Sequence, residues 1–476
     1  MKASSLRLHS WAAALILGLA VLFPSVRGAG PGSIANHKEW RPEKRTTCDL
    51  LHPVIEQLTK NLTAIFAKEG INIEVVDSLH NKCEKEATMH ACIKAQKLMI
   101  KDGVVYVTNL MPVNGFGAVE LIGFLVELYE VSQLYKLPDL EFAYWHDDNP
   151  PAETNLKPTA EAPTAASWPF PPHKLPPILA WATFPGNGAM VVPYSGAFRC
   201  PKDSFDVLMS QMNDMMMEAP WDQREKVGFG RWNVFCAWYY GGTAVTFTDG
   251  SPVPCPREYL SNLYKNHTDK MLTAALGHEL AGGAKAGSVP LNEQYKYRYI
   301  VSTDGWSISS KFDKYLVLGS LILKARGFVY GWYYPAMEEW VHYVPYMVKH
   351  KDDIIEMIDW ARANDDEAHK IAQAAQTFAL RNLNRSARLC YIFRLLSELG
   401  KHMKYTTSCD KRKVCVPLVE ELKFLATWPG THRNCKYDEV LSTYGRDDPA
   451  ALPGDSGYKV LLKRHEDEPH HVWGRR

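Results

Sequence analysis

One eight-residue segment, residues 304–311 (DGWSISSK), combines residue types that suit the binding of a phosphate group. It follows a predicted strand over residues 295–303 and precedes a predicted helix that Ser309 or Ser310 would cap. The N–H groups of a helix start bind anions, and serine hydroxyls and the Lys311 ammonium add further donors. The same spacing also fits an ordinary strand–helix turn with a serine cap, so both interpretations stay open.

A second candidate is a pair of adjacent acids, Asp147 and Asp148, just past a predicted strand over residues 141–145. A carboxylate at this position can accept the proton of an attacking hydroxyl group. The pair can alternatively hold a divalent metal through oxygen ligands, or form a solvated turn before Pro150. The residues alone leave these three interpretations open.

Two arginines are further candidates for phosphate binding. Arg231 ends an aromatic and glycine-rich stretch (KVGFGRW), and Arg257 lies at the start of a predicted helix (PREYL). A guanidinium group binds phosphate through two parallel hydrogen bonds. Taken alone, each arginine fits a surface or structural role equally well.

The candidate segments lie within two stretches of alternating strands and helices. Residues 48–100 are expected to be helical, and a turn and strand follow over residues 101–110. Beyond them the periodicity predicts strands at 141–145, 178–184, 295–303, 320–324 and 340–344, and helices at 120–137, 203–217, 309–318, 352–364, 365–383 and 386–399. This alternation predicts an α/β fold with two Rossmann-like halves facing a cleft. Ligands bind beyond the carboxyl ends of such strands, which singles out residues 146–150 and 304–311.

The first 29 residues are typical of a targeting segment. Lys2 and Arg7 precede an apolar run over residues 12–23, which is shorter than the roughly 20 residues that span a bilayer. We therefore expect a cleaved signal peptide, with a short signal anchor as the alternative. Contact with a membrane is expected only if this segment is retained.

Cysteines and glycosylation motifs also indicate the secretory pathway. The chain has 10 cysteines and no CxxC pair, which favours disulfides over a zinc site. The alternative is that some, such as Cys236 and Cys390, are buried free thiols. Three N-x-S/T sequons begin at Asn61, Asn266 and Asn384. We expect residence in the ER or Golgi lumen, or secretion.

The charge balance argues against a nucleic-acid partner. The chain carries 54 basic and 53 acidic residues, a formal net charge of +1, and shows no basic stripe. Nucleic-acid binders typically have a clustered basic excess.

Three blocks in the second half add a family resemblance. They are YKYRYIVSTDGWSISSKFDKYLVLGSLILK, GWYYPAMEEWVHYVPY and IDWARANDDEAHKIAQAAQTFALRNL, spread over residues 290–400. Their order and spacing resemble the Rumi-type or KTEL-motif protein O-glucosyltransferases of glycosyltransferase family 90, which also includes capsule-associated xylosyltransferases. A weaker resemblance covers residues 139–150 and 220–232.

The resemblance implies a GT-B-like fold and an inverting transfer of glucose or xylose from a UDP-sugar to a glycoprotein or polysaccharide hydroxyl. It implies no metal and no further cofactor. The family base is an Asp two residues before a proline, which assigns the catalytic base to Asp148. With the segment described above, the predicted donor-binding residues are Arg231, Asp304, Gly305, Trp306, Ser307, Ile308, Ser309, Ser310 and Lys311.

Two departures from the family pattern keep an alternative open. The family usually has arginine where this chain has Lys311, and its Phe-Arg-Gly order is Phe-Gly-Arg around Arg231. Lysine keeps the charge but loses the bidentate fork. The alternative is a non-catalytic carbohydrate-binding or chaperone-like lumenal protein, and a metal-dependent transferase using Asp147 and Asp148 is another.

The predicted organisation has five parts. They are a signal peptide (1–29), an acceptor-side α/β domain (45–215) with a Pro-rich loop (149–177), a nucleotide-sugar α/β domain (216–380), closing helices (381–430) and a disordered tail (446–476).

Overall fold

The computed structural model describes residues 43–85, 94–109, 116–148, 176–185, 187–194 and 204–427. The predicted signal peptide, the predicted tail and most of the predicted Pro-rich loop lie outside these segments. Within the described part of the chain, no helix is both long enough and apolar enough to cross a bilayer.

Eleven named strands form two sheets in the described residues. In chain order they are β1 Ala95–Lys101, β2 Val104–Val107, β3 Leu140–Trp145, β4 Ile178–Ala180, β5 Met190–Val191, β6 Glu225–Trp232, β7 Met271–Ala275, β8 Tyr297–Ser302, β9 Leu321–Ala325, β10 Val344–Tyr346 and β11 Val416–Pro417.

Ten α-helices surround these strands in the described segments. They are α1 Pro53–Thr63, α2 Ile73–Lys85, α3 Phe116–Leu134, α4 Phe205–Glu218, α5 Pro256–Leu263, α6 Phe312–Val317, α7 Asp353–Ala363, α8 Asp365–Asn382, α9 Arg385–Gly400 and α10 Leu418–Thr427. The helices predicted at 120–137, 203–217, 352–364, 365–383 and 386–399 are confirmed to within a few residues, because each carries apolar residues at helical spacing.

The second half contains an all-parallel sheet with the strand order β10-β9-β8-β6-β7. Strand β9 is buried along its whole length and β8 along nearly all of it. Such continuous burial is expected when helices cover both faces of a parallel sheet. The predicted α/β character of this half is therefore confirmed.

The first half differs from a fully parallel Rossmann-like sheet. Its order is β11-β2-β1-β3-β4-β5, and only the β3–β4 and β4–β5 pairs are parallel. Strands β1 and β2 form an antiparallel hairpin across Asp102 and Gly103, which have φ angles of 50° and 76°. Asp-Gly adopts this left-handed turn at low cost, so the hairpin forms locally.

Strand β1 corrects the prediction that residues 48–100 are helical throughout. Its sequence, AQKLMIK, consists mostly of residues with good helix propensity. It is nevertheless a strand, because it pairs with β2 on one side and β3 on the other. The pairing, rather than the local propensity, determines its conformation.

The strand predicted at 340–344 is also shifted. Trp340 has a φ of 63° and its N–H donates to the Tyr343 carbonyl at 2.7 Å, so these residues form a turn. The strand itself is β10, which begins at Val344.

Several contacts join the two halves. The backbones of Thr183 and Tyr330 exchange two hydrogen bonds, at 3.1 and 2.8 Å. The C-terminal strand β11 returns to pair with β2 of the first sheet. A disulfide links Cys48 to Cys390 on α9. The predicted domain boundaries remain a prediction.

Six cysteines, at positions 48, 236, 255, 390, 409 and 415, are paired rather than free. Besides Cys48–Cys390, disulfides join Cys236 to Cys255 and Cys409 to Cys415. The alternative of buried free thiols at Cys236 and Cys390 is therefore wrong. Spacing could not reveal this, because the Cys48 and Cys390 partners are separated by 342 positions.

Candidate functional site

A cavity of about 470 Å³ lies where strands from both sheets end. Asp148, three residues after β3, and Tyr194, three residues after β5, line it from the first half. Residues following β6 and β8 line it from the second half. The cavity thus lies at the carboxyl ends of the strands, where open α/β folds bind ligands.

Most of the predicted site residues meet in this cavity. Those that line it are Asp148, Arg231, Gly305, Trp306, Ser307, Ile308, Ser309, Ser310 and Lys311. The two segments singled out in the sequence therefore share one crevice. Their individual roles remain predictions.

Asp147 and Asp148 differ in their surroundings although they are adjacent in sequence. The Asp147 carboxylate pairs with the Lys94 ammonium at 3.1 Å. Asp148 instead contributes to the cavity wall. Of the two acids, Asp148 is thus the one placed to meet a molecule bound in the cavity.

Asp304 lies beneath the cavity rather than in its wall. Its side chain is 1% exposed, accepts a hydrogen bond from the Tyr239 hydroxyl at 2.9 Å and accepts another from the Ser309 N–H at 3.3 Å. The Lys324 ammonium lies 4.0 Å away. Asp304 therefore shapes the 304–311 turn from below, and its role in donor binding remains a prediction.

The helix after this turn begins later than predicted. Helix α6 runs from Phe312 to Val317, with Lys311 as its N-cap, whereas the sequence favoured Ser309 or Ser310. Ser309 still contributes locally, because its Oγ accepts the Lys311 N–H at 3.4 Å. With six residues, α6 has only a small dipole, so side chains must supply most of any attraction for an anion.

Arg257 also lines the cavity, although the predicted donor-binding residues do not include it. Its Nε donates to Thr303 Oγ1 at 3.1 Å, and one Nη donates to the Asn233 carbonyl at 3.1 Å. Thr303 and Asn233 each follow the end of a parallel strand, so the guanidinium is held at the cavity. The PREYL helix start was the only sequence signal for it.

Gly305 permits the close approach of Arg257. A β-carbon at position 305 would lie 2.9 Å from one Arg257 Nη and 3.1 Å from the other. Only a residue without a side chain leaves room for the guanidinium to pack against the turn.

Arg231 lines the same cavity with a different set of contacts. One Nη donates to the carbonyls of Gly230 at 3.0 Å and Leu272 at 2.7 Å, so this part of the side chain is turned back along the sheet. Its Nε is buried and has no hydrogen-bond partner among the described residues. The Ser307 hydroxyl shares this condition. Buried polar atoms without partners are expected where a polar ligand binds.

The cavity is electropositive. Its described lining includes three basic residues, Arg231, Arg257 and Lys311, and one acidic residue, Asp148. Burial lowers the pKa of both arginines, which reflects the free-energy cost of removing their charge from water. Asp304 partly opposes this effect at Arg257. A bound anion would offset the same cost.

Lys311 connects two of the predicted donor-binding elements. Its Nζ donates to the Arg231 carbonyl at 3.0 Å, which places the ammonium between the 304–311 turn and the end of β6. The charge that the family pattern supplies through arginine is therefore retained at the cavity.

The cavity mouth carries aromatic side chains. The rings of Phe235 and Trp306 lie 5.8 Å apart, and Phe235 is 48% exposed. The adjacent disulfide between Cys236 and Cys255 ties this segment to the start of α5, two residues before Arg257. The loop and the arginine are thus held to each other covalently.

The described segments contain no group of three or more His, Cys, Asp or Glu side chains arranged to hold a metal ion. Transfer without a metal remains a prediction.

A family model described as Glycosyl transferase family 90 matches residues 44–472 of the chain. The chain belongs to glycosyltransferase family 90. This match covers most of the chain, including both sheets and the cavity, and confirms the resemblance drawn from the second-half blocks.

Curated family 90 relatives match over shorter stretches. Protein O-glucosyltransferase 3 of Homo sapiens is 41% identical over 129 residues, which is 27% of this chain and 25% of that protein. Protein O-glucosyltransferase 1 of Rattus norvegicus is 30% identical over 130 residues, covering 27% and 33%. The chain thus matches between a quarter and a third of the length of these relatives. Protein O-glucosyltransferase 1 of Mus musculus is 24% identical over 287 residues, covering 60% and 68%.

Solved structures resemble this family 90 chain only distantly. Anabaena Alr3699/HepE in complex with UDP and glucose has a TM-score of 0.24 and 8% identity over 38% of this chain and 51% of that one. A glycosyltransferase from Rickettsia africae has a TM-score of 0.27 and 12% identity over 47% and 64%. This similarity is too low to support a statement about the site.

Proposed function

We propose that this family 90 glycosyltransferase transfers glucose or xylose from a UDP-sugar to a hydroxyl group of a protein or glycan acceptor. The proposal rests on the set of residues that line one cavity. It holds the Asp148 carboxylate from the first half together with three cations and a serine-rich turn from the second. A base and a diphosphate-binding surface are the two parts that such a reaction requires.

In this mechanism Asp148 accepts the proton of the acceptor hydroxyl as its oxygen attacks the anomeric carbon of the sugar. The new bond forms on the face opposite the phosphate, the bond from the anomeric carbon to the phosphate oxygen breaks, and UDP leaves. Inversion at the anomeric carbon follows from this single displacement. Holding both substrates in one cavity lowers the entropic barrier.

The cations stabilise the departing UDP. Arg257, Lys311 and Arg231 offer charge-assisted hydrogen bonds, which strengthen as negative charge develops on the leaving diphosphate. The Ser307 hydroxyl and the Arg231 Nε, both buried and without described partners, are further donors. We assign the largest share to Arg257, because its guanidinium lies against Gly305 of the serine-rich turn, held there by hydrogen bonds from Nε and both Nη atoms to Thr303 and Asn233.

The sugar, the acceptor and the location are parts of the same proposal. The names of the relatives are those of protein O-glucosyltransferases, which supports glucose as the sugar and a protein as the acceptor. Action in the lumen of the secretory pathway is supported by the N-terminal segment, the sequons and three disulfides among the described residues.

A donor screen tests this function. Purified full-length protein is incubated with a panel of UDP-sugars, with and without a folded secretory-protein acceptor, and UDP release is measured. We expect release from UDP-glucose or UDP-xylose that EDTA leaves unchanged. UDP binding without turnover of any donor would favour the non-catalytic carbohydrate-binding alternative, and loss of activity in EDTA would favour the metal-dependent one.

A further inference from the structure

The three glycosylation sequons differ in how their asparagines are held. Asn61, near the end of α1, and Asn266, in the short turn Tyr264–Asn266 before β7, are exposed. Asn384 is partly buried and is the N-cap of α9. The three asparagines are equivalent as sequence motifs, but their surroundings in the fold differ.

Both ends of the Asn384 side-chain amide form hydrogen bonds in the fold. Its Oδ1 accepts the Ala387 N–H at 3.0 Å and so caps α9. Its Nδ2 donates to the carbonyl of Leu380 at 2.8 Å and to that of Arg381 at 3.2 Å. An amide nitrogen has two hydrogens, so a glycan on Nδ2 would remove one of these bonds and would have to leave from a partly buried junction between α8 and α9.

The two exposed asparagines can carry a glycan without this loss. Asn61 contacts Gln57 through Oδ1, at 3.0 Å, so attachment at Nδ2 leaves that hydrogen bond intact. Asn266 and the third residue of its sequon, Thr268, are both exposed. Asn266 also precedes β7, at the amino end of the parallel sheet, and a glycan there would be directed away from the cavity at the carboxyl ends.

We propose that Asn61 and Asn266 are N-glycosylation sites and that Asn384 instead serves as a helix cap. The donor is a lipid-diphosphate-linked oligosaccharide, supplied by the host's lumenal glycosylation machinery. A bond forms between the asparagine Nδ2 and the anomeric carbon of the oligosaccharide, the bond from that carbon to the diphosphate breaks, the lipid diphosphate leaves and Nδ2 loses one proton. The proposal rests on lumenal entry as proposed above.

The test expresses the full chain in eukaryotic cells and recovers it from protease-protected vesicles or medium. Enzymatic removal of N-glycans in ¹⁸O-water converts each modified asparagine to a labelled aspartate, which peptide mass spectrometry identifies. We expect label at positions 61 and 266 and none at 384. Thr268→Ala, which keeps Asn266 but removes its sequon, should lose one glycan.

Position 384 has its own matched pair of variants. Ser386→Ala removes the sequon but keeps the cap, and Ser386 is exposed, so the glycan mass and the Tm should both stay unchanged. Asn384→Ala removes the cap and should lower the Tm by roughly 1–4 °C without changing the glycan mass.

Label at Asn384 in folded protein would overturn the proposal, as would an unlabelled Asn61 or Asn266 in protected material. Failure of the chain to enter the lumen would overturn it as well. The transferase function is tested separately by the donor screen on purified protein, so the two failures are distinguishable.

Discussion

The Lys94 ammonium lies 3.1 Å from the Asp147 carboxylate, while the next residue, Asp148, lines the cavity. The two acids are adjacent in the sequence, and this ion pair gives Asp147 different surroundings from those of Asp148. It assigns Asp147 to holding the end of β3 against the start of β1, whereas Asp148 is the acid of the pair that lines the cavity.

The first prediction uses these neighbours as a matched pair. Asp148→Asn should lower the rate of sugar transfer by about 10²–10⁴-fold, because an amide cannot accept the acceptor proton. Calorimetry should show nearly unchanged UDP binding. Asp147→Asn should keep most of the activity, since its carboxylate pairs with Lys94. Full activity in Asp148→Asn would exclude it as the base.

The second prediction compares the two cavity arginines. Arg257→Lys should raise the KM for the UDP-sugar by about tenfold, equivalent to ~1.4 kcal/mol, because lysine cannot form the bidentate fork. Arg231→Lys should raise it less, since one Nη of Arg231 is turned back along the sheet to the Gly230 and Leu272 carbonyls, whereas the Arg257 guanidinium packs against Gly305 of the turn. Steady-state kinetics on variants of matched Tm makes the comparison. A larger rise in KM for Arg231→Lys would indicate that Arg231, rather than Arg257, makes the main phosphate contact.

The third prediction concerns the glycine beneath Arg257. Gly305→Ala should raise the donor KM by roughly three- to tenfold, because a methyl group 2.9 Å from the guanidinium displaces it from the turn. The fold should persist, since the flexible end of a side chain can move. Gly287→Ala is the control, because a β-carbon there meets no atom within 4 Å. Equal KM values for the two variants would show that Gly305 is not needed to seat Arg257.

The fourth prediction concerns pH. The pKa of His80 is lowered from its ordinary value of 6.5 to about 2, mainly by burial and further by the positive charges of Lys97 and Arg412. Below about pH 6.5 the unfolded chain therefore binds a proton at His80 that the folded chain does not. The free energy of unfolding should fall with decreasing pH, by at most about 1.4 kcal/mol per unit from this residue.

Urea unfolding across this pH range measures the slope, and His80→Gln should reduce it. Burial lowers the pKa of His342, His369 and His402 as well. The His80→Gln variant should therefore keep the part of the pH dependence of stability that these three residues contribute. The difference between the two slopes isolates His80. Parallel slopes would mean that His80 titrates alike in both states.

Much of the α/β layering follows from local patterns. The helix α8 and the strand β9 were predicted because apolar residues recur at helical spacing in the first and stand together at positions 321–323 in the second. The placement of residues 304–311 at a strand end followed from the same pattern and from the turn formed by Asp304 and Gly305.

Pairings between distant residues were decided by the tertiary structure. Strand β1 has helix-favouring residues and became a strand only through its neighbours. Arg257 belongs to the cavity because it reaches Thr303, 46 positions away. The burial of Asp304, and its hydrogen bonds with Tyr239 and the Ser309 N–H, likewise came only from the tertiary structure.

The sequence by itself therefore determined which segments are helices or buried strands and which of them end in polar residues, since both depend on neighbours a few positions apart. Only the tertiary structure decided that Asp147 forms an ion pair with Lys94, that Arg257 is held at the cavity and how six of the cysteines pair. Those outcomes depend on contacts between residues that are distant in the sequence, such as Lys94 with Asp147 and Arg257 with Thr303, and the spacing of residues along the chain does not specify such contacts.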